Sequence, residues 1–167
     1  MMARAHPSFA LRPFLAEDTP LLAELFRASV EELTAEDYSA AQQKAWVSAA
    51  DDEEAFAQRL GSQLTLIATM NGSPMGFVSL AGETIDLIYV HPTVAGQGAG
   101  TMLLDALEKL STARGGKRLT ADVSDSALDF FGKRGFTPQQ RNTVLRGGEW
   151  LSNTTMDKPL AAKGGTP

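Results

Sequence analysis

The sequence predicts an α/β protein of the α+β kind, a mixed sheet with helices packed on its faces. Three observations carry this expectation. Apolar residues switch between helical and strand spacing along the chain. Asn71-Gly72 stands between two apolar runs, a strong hairpin signal. From Ile85 to Leu110 a strand, a glycine-dense turn and an amphipathic helix follow one another directly.

At 167 residues one domain is the default, large enough for a sizeable core. We expect it to span 8–160, with 1–7 and 161–167 as loose termini. The 43% apolar and 21% charged content is ordinary for a globule. A net charge of −5 gives no global support for binding nucleic acid or an anionic membrane. The absence of cysteine excludes disulfides, thiolate metal sites and a thiol-linked intermediate. With only His6 and His91 as histidines, no zinc site is expected. No run approaches the roughly 18 apolar residues of a membrane span. The start, MMARAHPSFALRPF, lacks a long apolar segment of the signal-peptide type, so a cytoplasmic protein is the default.

In chain order, Ser8 to Phe14 alternates in part and reads as a first strand. Asp18 reads as the cap of a helix with Pro20 in its first turn and Leu21, Leu22, Leu25, Phe26 and Val30 on its apolar face. Ser39 is the expected cap of a second helix carrying Trp46. The acidic run Asp51 to Glu54 suits the start of a third, which Gly61 stops, with a cation or amine site as its alternative. Leu64 to Met70 and Met75 to Ala81 form the hairpin around Asn71-Gly72-Ser73-Pro74. Glu83 to Val90 is the next strand. The long helix after the glycines ends near Ala113, Leu119 to Val123 is a short strand, and Ser124-Asp125 caps a helix with Phe130 and Phe131. Two strands, Phe136 to Arg146 and Glu149 to Lys158, close the chain around Gly147-Gly148.

The glycine stretch is where function concentrates. A helix N-terminus has unpaired N–H groups and a partial positive charge, and glycines let a phosphate approach them. The lysine of a nucleotide P-loop is missing, and no G-x-S-x-G hydrolase motif occurs.

Val90-His91-Pro92 followed by Gly96-Gln97-Gly98-Ala99-Gly100 and an amphipathic helix resembles the acyl-CoA motif of the Gcn5-related N-acetyltransferases (GNAT). The run from Ser124 to Phe136, SDSALDFFGKRGF, resembles that family's second motif. Tyr38-Ser39 and Trp46 are further similar to a bacterial subgroup, the YafP-like proteins. The resemblance implies a GNAT-like acyl-CoA N-acyltransferase fold, with a mostly antiparallel twisted sheet flanked by about four to five helices. It implies acetyl transfer from acetyl-CoA to a primary amine of a small molecule or protein by direct attack, without a metal. Its competitor is a non-catalytic acyl-CoA-binding or regulatory protein of the same fold. The resemblance also allows a homodimer.

The same resemblance places the pantetheine against the backbone of Ile88, Tyr89 and Val90. It places the pyrophosphate on Ala95, Gly96, Gln97, Gly98, Ala99, Gly100 and Thr101, and gives Ser124 and Phe131 to the cofactor. The family often has charged or amide side chains at the positions of Ala95 and Gln97, and a tyrosine at that of Phe131 that protonates the departing thiolate. Alternation puts Thr84, Asp86, Ile88 and Val90 on one strand face. Asp86 lies in an apolar run, where burial would raise its pKa toward that of a general base; the alternative is a carboxylate bonded to backbone or an arginine. Tyr89 is either core or the proton donor, with Tyr38 the only other tyrosine. His91, before a proline at the strand end, is either a loop cap or a proton shuttle. Lys133, Arg134, Arg114, Lys117 and Arg118 are each either solvated or partners of the CoA 3′-phosphate.

Overall fold

The computed structural model describes residues 8–161. The expected termini 1–7 and most of 161–167, and with them His6, lie outside the described residues.

The first strand, β1, is Ala10–Pro13. Helices α1 (Thr19–Leu33), α2 (Ala40–Val47) and α3 (Glu53–Gly61) follow. Then come the meander β2 (Leu64–Met70), β3 (Ser73–Ala81) and β4 (Thr84–Val90). Helix α4 (Ala99–Ala113), strand β5 (Arg118–Ser124), helix α5 (Leu128–Lys133) and the hairpin β6 (Thr137–Arg146) and β7 (Glu149–Pro159) complete the chain. The strands form one seven-stranded sheet in the order β1-β2-β3-β4-β5-β7-β6. All neighbours are antiparallel except β4 and β5.

Alternation along the strands divides the interior into two layers. On one face Leu103, Leu104 and Leu107 of α4 and Phe131 of α5 pack on Val78, Leu80, Ile85 and Leu119. On the other, Leu22, Phe26 and Val30 of α1 and Phe56 and Leu60 of α3 pack on Ile67, Phe77 and Leu87. Thus α4 and α5 cover one side of the sheet, and α1 and α3 the other.

Local signals act largely as expected. Ser39 Oγ accepts from Gln42 N–H at 3.1 Å while Gln42 Oε1 accepts from Ser39 N–H at 2.8 Å, a reciprocal cap on α2. Asp52 accepts from Ala55 N–H at 3.1 Å, so the acidic run is the start of α3. The hairpin turn narrows to Asn71-Gly72, both at positive φ (53° and 83°), and Ser73-Pro74 joins β3. Two expected caps fail. Ser124 makes no side-chain cap, and a 3-10 turn, Asp125–Ala127, precedes the short α5. Asp18 does not cap α1. It accepts from Leu15 N–H at 2.8 Å and from both terminal nitrogens of Arg12 at 2.8 and 2.7 Å, tying β1 to the entry of α1.

The Arg12 hydrogen bonds hold the Asp18 carboxyl below its usual pKa; burial opposes this, and the Leu15 N–H and the Arg12 charge add to it. A carboxyl depressed on folding stabilises the fold fully above its unfolded pKa of about 3.9, and that contribution fades as pH falls through the folded value. In urea unfolding, Asp18→Asn should cost about 1–3 kcal/mol at pH 7. The gap to the parent should shrink steadily below about pH 4; a gap unchanged at pH 3 would show that the Asp18 charge contributes nothing.

Candidate active site at the strand fork

The sheet divides where it is parallel. β4 and β5 pair only at Thr84 with Thr120 and Ile85 with Ala121. Beyond them the strands part, so the β5-facing edge of β4 from Asp86 to Val90 has no strand partner. Glu83 closes the narrow end by accepting from the backbone N–H groups of Lys117 and Arg118 at 2.7 and 3.3 Å.

A second irregularity sits at the same point. Ser79 pairs with Leu87 and Leu80 with Ile85, leaving Asp86 as the extra residue of a β-bulge. The bulge overturns the simple alternation expected for β4. Ile85 and Ile88 pack with α4, while Leu87 and Tyr89 pack with α1 and α3. Asp86 turns toward α3, away from Ile88. There Arg59 Nε donates to its Oδ2 at 2.7 Å and a terminal Arg59 nitrogen to its Oδ1 at 2.8 Å, and Gln63 donates at 2.9 Å. Burial pushes the Asp86 carboxyl up, but the bonds from Arg59 and Gln63, with the charges of Arg59 and Arg146, outweigh it. Its pKa is lowered, not raised as the apolar run predicts.

On the α4 side, the fork opens into a cavity of about 400 Å³ lined by Ile88, Tyr89, Val90, Ser124 and Phe131 and by the glycine turn. Gly98 has φ 96°, and a Cβ at this position would meet nothing within 4 Å, so the turn requires a left-handed residue beside open space. The N–H groups of Gly96, Gly98, Ala99, Gly100 and Thr101 make no backbone hydrogen bond, whereas that of Gln97 is spent on Val94 O at 3.1 Å. The Gln97 amide folds onto Thr93 O at 3.3 Å. Ala95 and Gln97 do not line the cavity; Gly96, Gly98, Ala99, Gly100 and Thr101 do. Five of the seven residues expected at the pyrophosphate thus line the cavity.

Arg134 supplies charge at the same place. Its guanidinium lies 3.9 Å over the Phe130 ring, donates to Phe130 O at 2.8 Å and reaches Thr101 Oγ1 from Nε at 3.0 Å. It stands at the first turn of α4. His91 caps the short turn after β4, with Nδ1 accepting from Thr93 N–H at 3.2 Å. Phe131 is 2% exposed and wedged edge-on between Phe130 and Phe136.

On the other side of the fork lies a second cavity of about 400 Å³, walled by α2, β4, β5 and the β6–β7 hairpin. The two cavities share Trp46, Ile85, Asp86, Tyr89, Asp122 and Ser124. Tyr89 Oη accepts from Trp46 Nε1 at 3.0 Å, and no acceptor for its own proton occurs among the described residues. Burial pushes the Tyr89 hydroxyl up to about 12, against the Trp46 bond. Tyr38 differs. Its hydroxyl donates to Ser152 O at 2.6 Å and accepts from Asp125 N–H at 2.9 Å, so its proton is committed. The hairpin wall also rests on α2, through Gln42 Nε2 to Trp150 O at 2.8 Å and through Gly147, where a Cβ would meet Ala45 at 3.1 Å.

Asp122 lies on β5, away from the glycine strand, and has no motif around it. It is the first β5 residue beyond the parallel pairing, as Asp86 is the first of β4. Its carboxylate is exposed, in no ion pair among the described residues, and takes one hydrogen bond, from Thr155 Oγ1 at 2.6 Å. The alternation Leu119, Ala121, Val123 against Thr120, Asp122, Ser124 is the signal that points to it. Arg59 has no such signal, since its place depends on how α3 crosses the sheet. Among the described residues no cluster of three or more His, Asp or Glu could hold a metal, and no helix is long and apolar enough to cross a membrane.

The acetyltransferase (GNAT) domain family model matches residues 34–159. The uncharacterized N-acetyltransferase YafP of Escherichia coli strain K12 is 30% identical over 146 residues, 87% of this chain and 93% of YafP. Among solved structures, a GCN5-related N-acetyltransferase from Rhodopseudomonas palustris superposes with a TM-score of 0.90 at 57% identity, covering 96% of this chain and 99% of that one. The PaiA N-acetyltransferase of Thermoplasma acidophilum, solved with coenzyme A, shares the fold with a TM-score of 0.78 at 21% identity over 91% of this chain and 99% of its own. The family match runs from the entry of α2 to the end of β7 and so takes in the fork and the glycine turn. The chain is an acyltransferase of the GNAT family.

Proposed function

We propose that the protein transfers an acetyl group from acetyl-CoA to a primary amine by direct attack, within one complex. The observation that carries this reading is the pair of cavities sharing their lining at the fork: one leads to a phosphate-type turn, the other to a polar cleft. The coenzyme A held by the PaiA relative supports the choice of co-substrate.

The residues fit that co-substrate. Free N–H groups from Gly96, Gly98, Ala99, Gly100 and Thr101 suit a pyrophosphate, and the α4 dipole adds to them. Arg134, already placed on Thr101, restores the charge that Ala95 and Gln97 do not provide; we assign it to the pyrophosphate in preference to the 3′-phosphate. The unpaired edge of β4 offers its backbone at Ile88, Tyr89 and Val90 to an amide-rich pantetheine. A bulge next to an open edge leaves backbone N–H groups without strand partners, the kind of donor that polarises a thioester carbonyl. Bound there, acetyl-CoA supplies a carbonyl for attack and a thiolate leaving group.

The amine must arrive without its proton. Asp86 is a poor acceptor, since three hydrogen bonds already hold its charged form. Asp122 faces both cavities with its carboxylate largely free and takes the proton, directly or through one water. As the N–C bond forms and the C–S bond breaks, the thiolate needs stabilisation. Tyr89 is too weak an acid, at about 12, to surrender its proton to a thiolate whose conjugate acid lies near about 8.5. It remains protonated and donates a hydrogen bond, while the second proton, shed by the nitrogen once the N–C bond has formed, passes through solvent to the thiolate. Asp86 keeps a supporting part, holding Arg59 and with it the wall of the acceptor cleft.

Thioester consumption with a panel of amines tests the reaction; acetyl-CoA turnover should rise with acceptor, and a rate equal to that without amine overturns it. Gly98→Asp, which sets a carboxylate beside the phosphate turn, should weaken acetyl-CoA binding at least about tenfold in calorimetry, with a fold penalty of about 1–2 kcal/mol. Full affinity would displace the turn from the cofactor. Asp122→Asn should lower kcat by about a hundredfold with the acetyl-CoA KM unchanged. Asp86→Asn should cost about 1–3 kcal/mol of stability and less of kcat. The reverse ranking of kcat would return the base to Asp86.

A further inference from the structure

The acceptor cleft holds four charged side chains: Arg59, Asp86, Asp122 and Arg146. Arg59 and Asp86 neutralise each other through two hydrogen bonds. One charge of each sign remains. Asp122 sits at the fork, where the cleft meets the cofactor cavity. Arg146 sits at the end of β6, on the hairpin wall.

Arg146 is in no ion pair and no side-chain hydrogen bond among the described residues, although Glu149 is its cross-strand neighbour. Its charge is nevertheless felt at the centre. After burial and the local hydrogen bonds, Arg146 is among the groups that favour the ionised forms of Asp86 and Tyr89. It is therefore an exposed guanidinium that lines a small cavity and is paired with no anion among the described residues. A guanidinium presents its N–H groups in a planar fork that matches a carboxylate in two parallel bonds. The remaining wall is part apolar, with Val144, Leu151 and Trp46, and the space is about 400 Å³.

Resting on the acetyl-transfer reading above, we propose that Arg146 anchors an oxyanion carried by the acceptor, so that the substrate is a small zwitterionic amine of the amino-acid type. Its amino group lies at the fork beside Asp122, and its carboxylate lies toward the hairpin on Arg146. A polyamine lacks the anion and sets a second cation against Arg59 and Arg146. A plain alkylamine gives Arg146 no anionic partner and so forgoes the charge-assisted pair.

The test compares amino acids with their decarboxylated counterparts, phenylalanine with phenethylamine and lysine with cadaverine, by acetyl-CoA consumption on the full chain. The amino acid of each pair should have a kcat/KM at least tenfold higher. In Arg146→Gln that preference should fall to within about twofold, through a raised acceptor KM and with the acetyl-CoA KM unchanged, and Arg146→Lys should recover part of it. In Arg146→Glu the order should reverse. Equal turnover of the paired amines by the parent protein, or a preference that survives Arg146→Gln, overturns the assignment of Arg146 and leaves acetyl transfer standing. No consumption with any amine overturns acetyl transfer itself, and this assignment with it.

Discussion

The structure depends on the short reach of one parallel pairing. β4 and β5 are held together only through Thr84–Ile85 and Thr120–Ala121, and everything chemical happens because they then separate. A continuous sheet would have satisfied the backbone of β4 and left no opening through its middle. The cost of the opening is a set of unpaired backbone groups, which a folded protein tolerates only where water or a ligand can reach them. The core compensates on both faces, with α4 and α5 packed over one side and α1 and α3 over the other. Glu83 then fixes the closed end by bonding the start of β5.

The bulge at Asp86 makes the opening asymmetric. One extra residue sends Ile85 and Ile88 to the α4 layer and Leu87 and Tyr89 to the other. It also delivers the Asp86 carboxylate to Arg59 on α3. The same defect therefore separates two side chains that a regular strand would have placed on one face: Ile88 toward α4 and the Asp86 carboxylate toward α3. It leaves the Asp86 charge already neutralised, so the carboxylate at the fork that is in no ion pair among the described residues is that of Asp122.

Much of this is legible in the residues, and the failures share a cause. The glycine turn, the Asn71-Gly72 hairpin, the Ser39 cap and the amphipathic faces of α1 and α4 are local or periodic, and local chemistry determines them. Strict alternation misplaces the Asp86 side chain because it assumes a strand without bulges, and a bulge is set by the partner strand. The direction of its pKa shift fails for the same reason: burial is foreseeable, but the Arg59 and Gln63 partners come from a helix and its exit more than twenty residues away in sequence. Ala95 and Gln97 share the loop's sequence but not its inner face, which only the backbone turn decides. Asp122 lies in a visible alternation, yet nothing local marks the position where two strands part.

The hairpin wall of the acceptor cleft leans on α2, through Gln42 to the Trp150 carbonyl and through Gly147 against Ala45, and on Tyr38 just before it. The phosphate turn, by contrast, is built from β4, α4 and α5. The protein is thus modular across its own midline: on the proposed reading, the half that would hold the donor and the half that would select the acceptor are separate stretches of chain joined at a few shared residues. On that reading, insertions or substitutions around α2 and the hairpin would redraw what is acetylated while the donor half stays the same. A single sheet with a gap in it can, on this plan, carry many acceptor preferences on one chemistry.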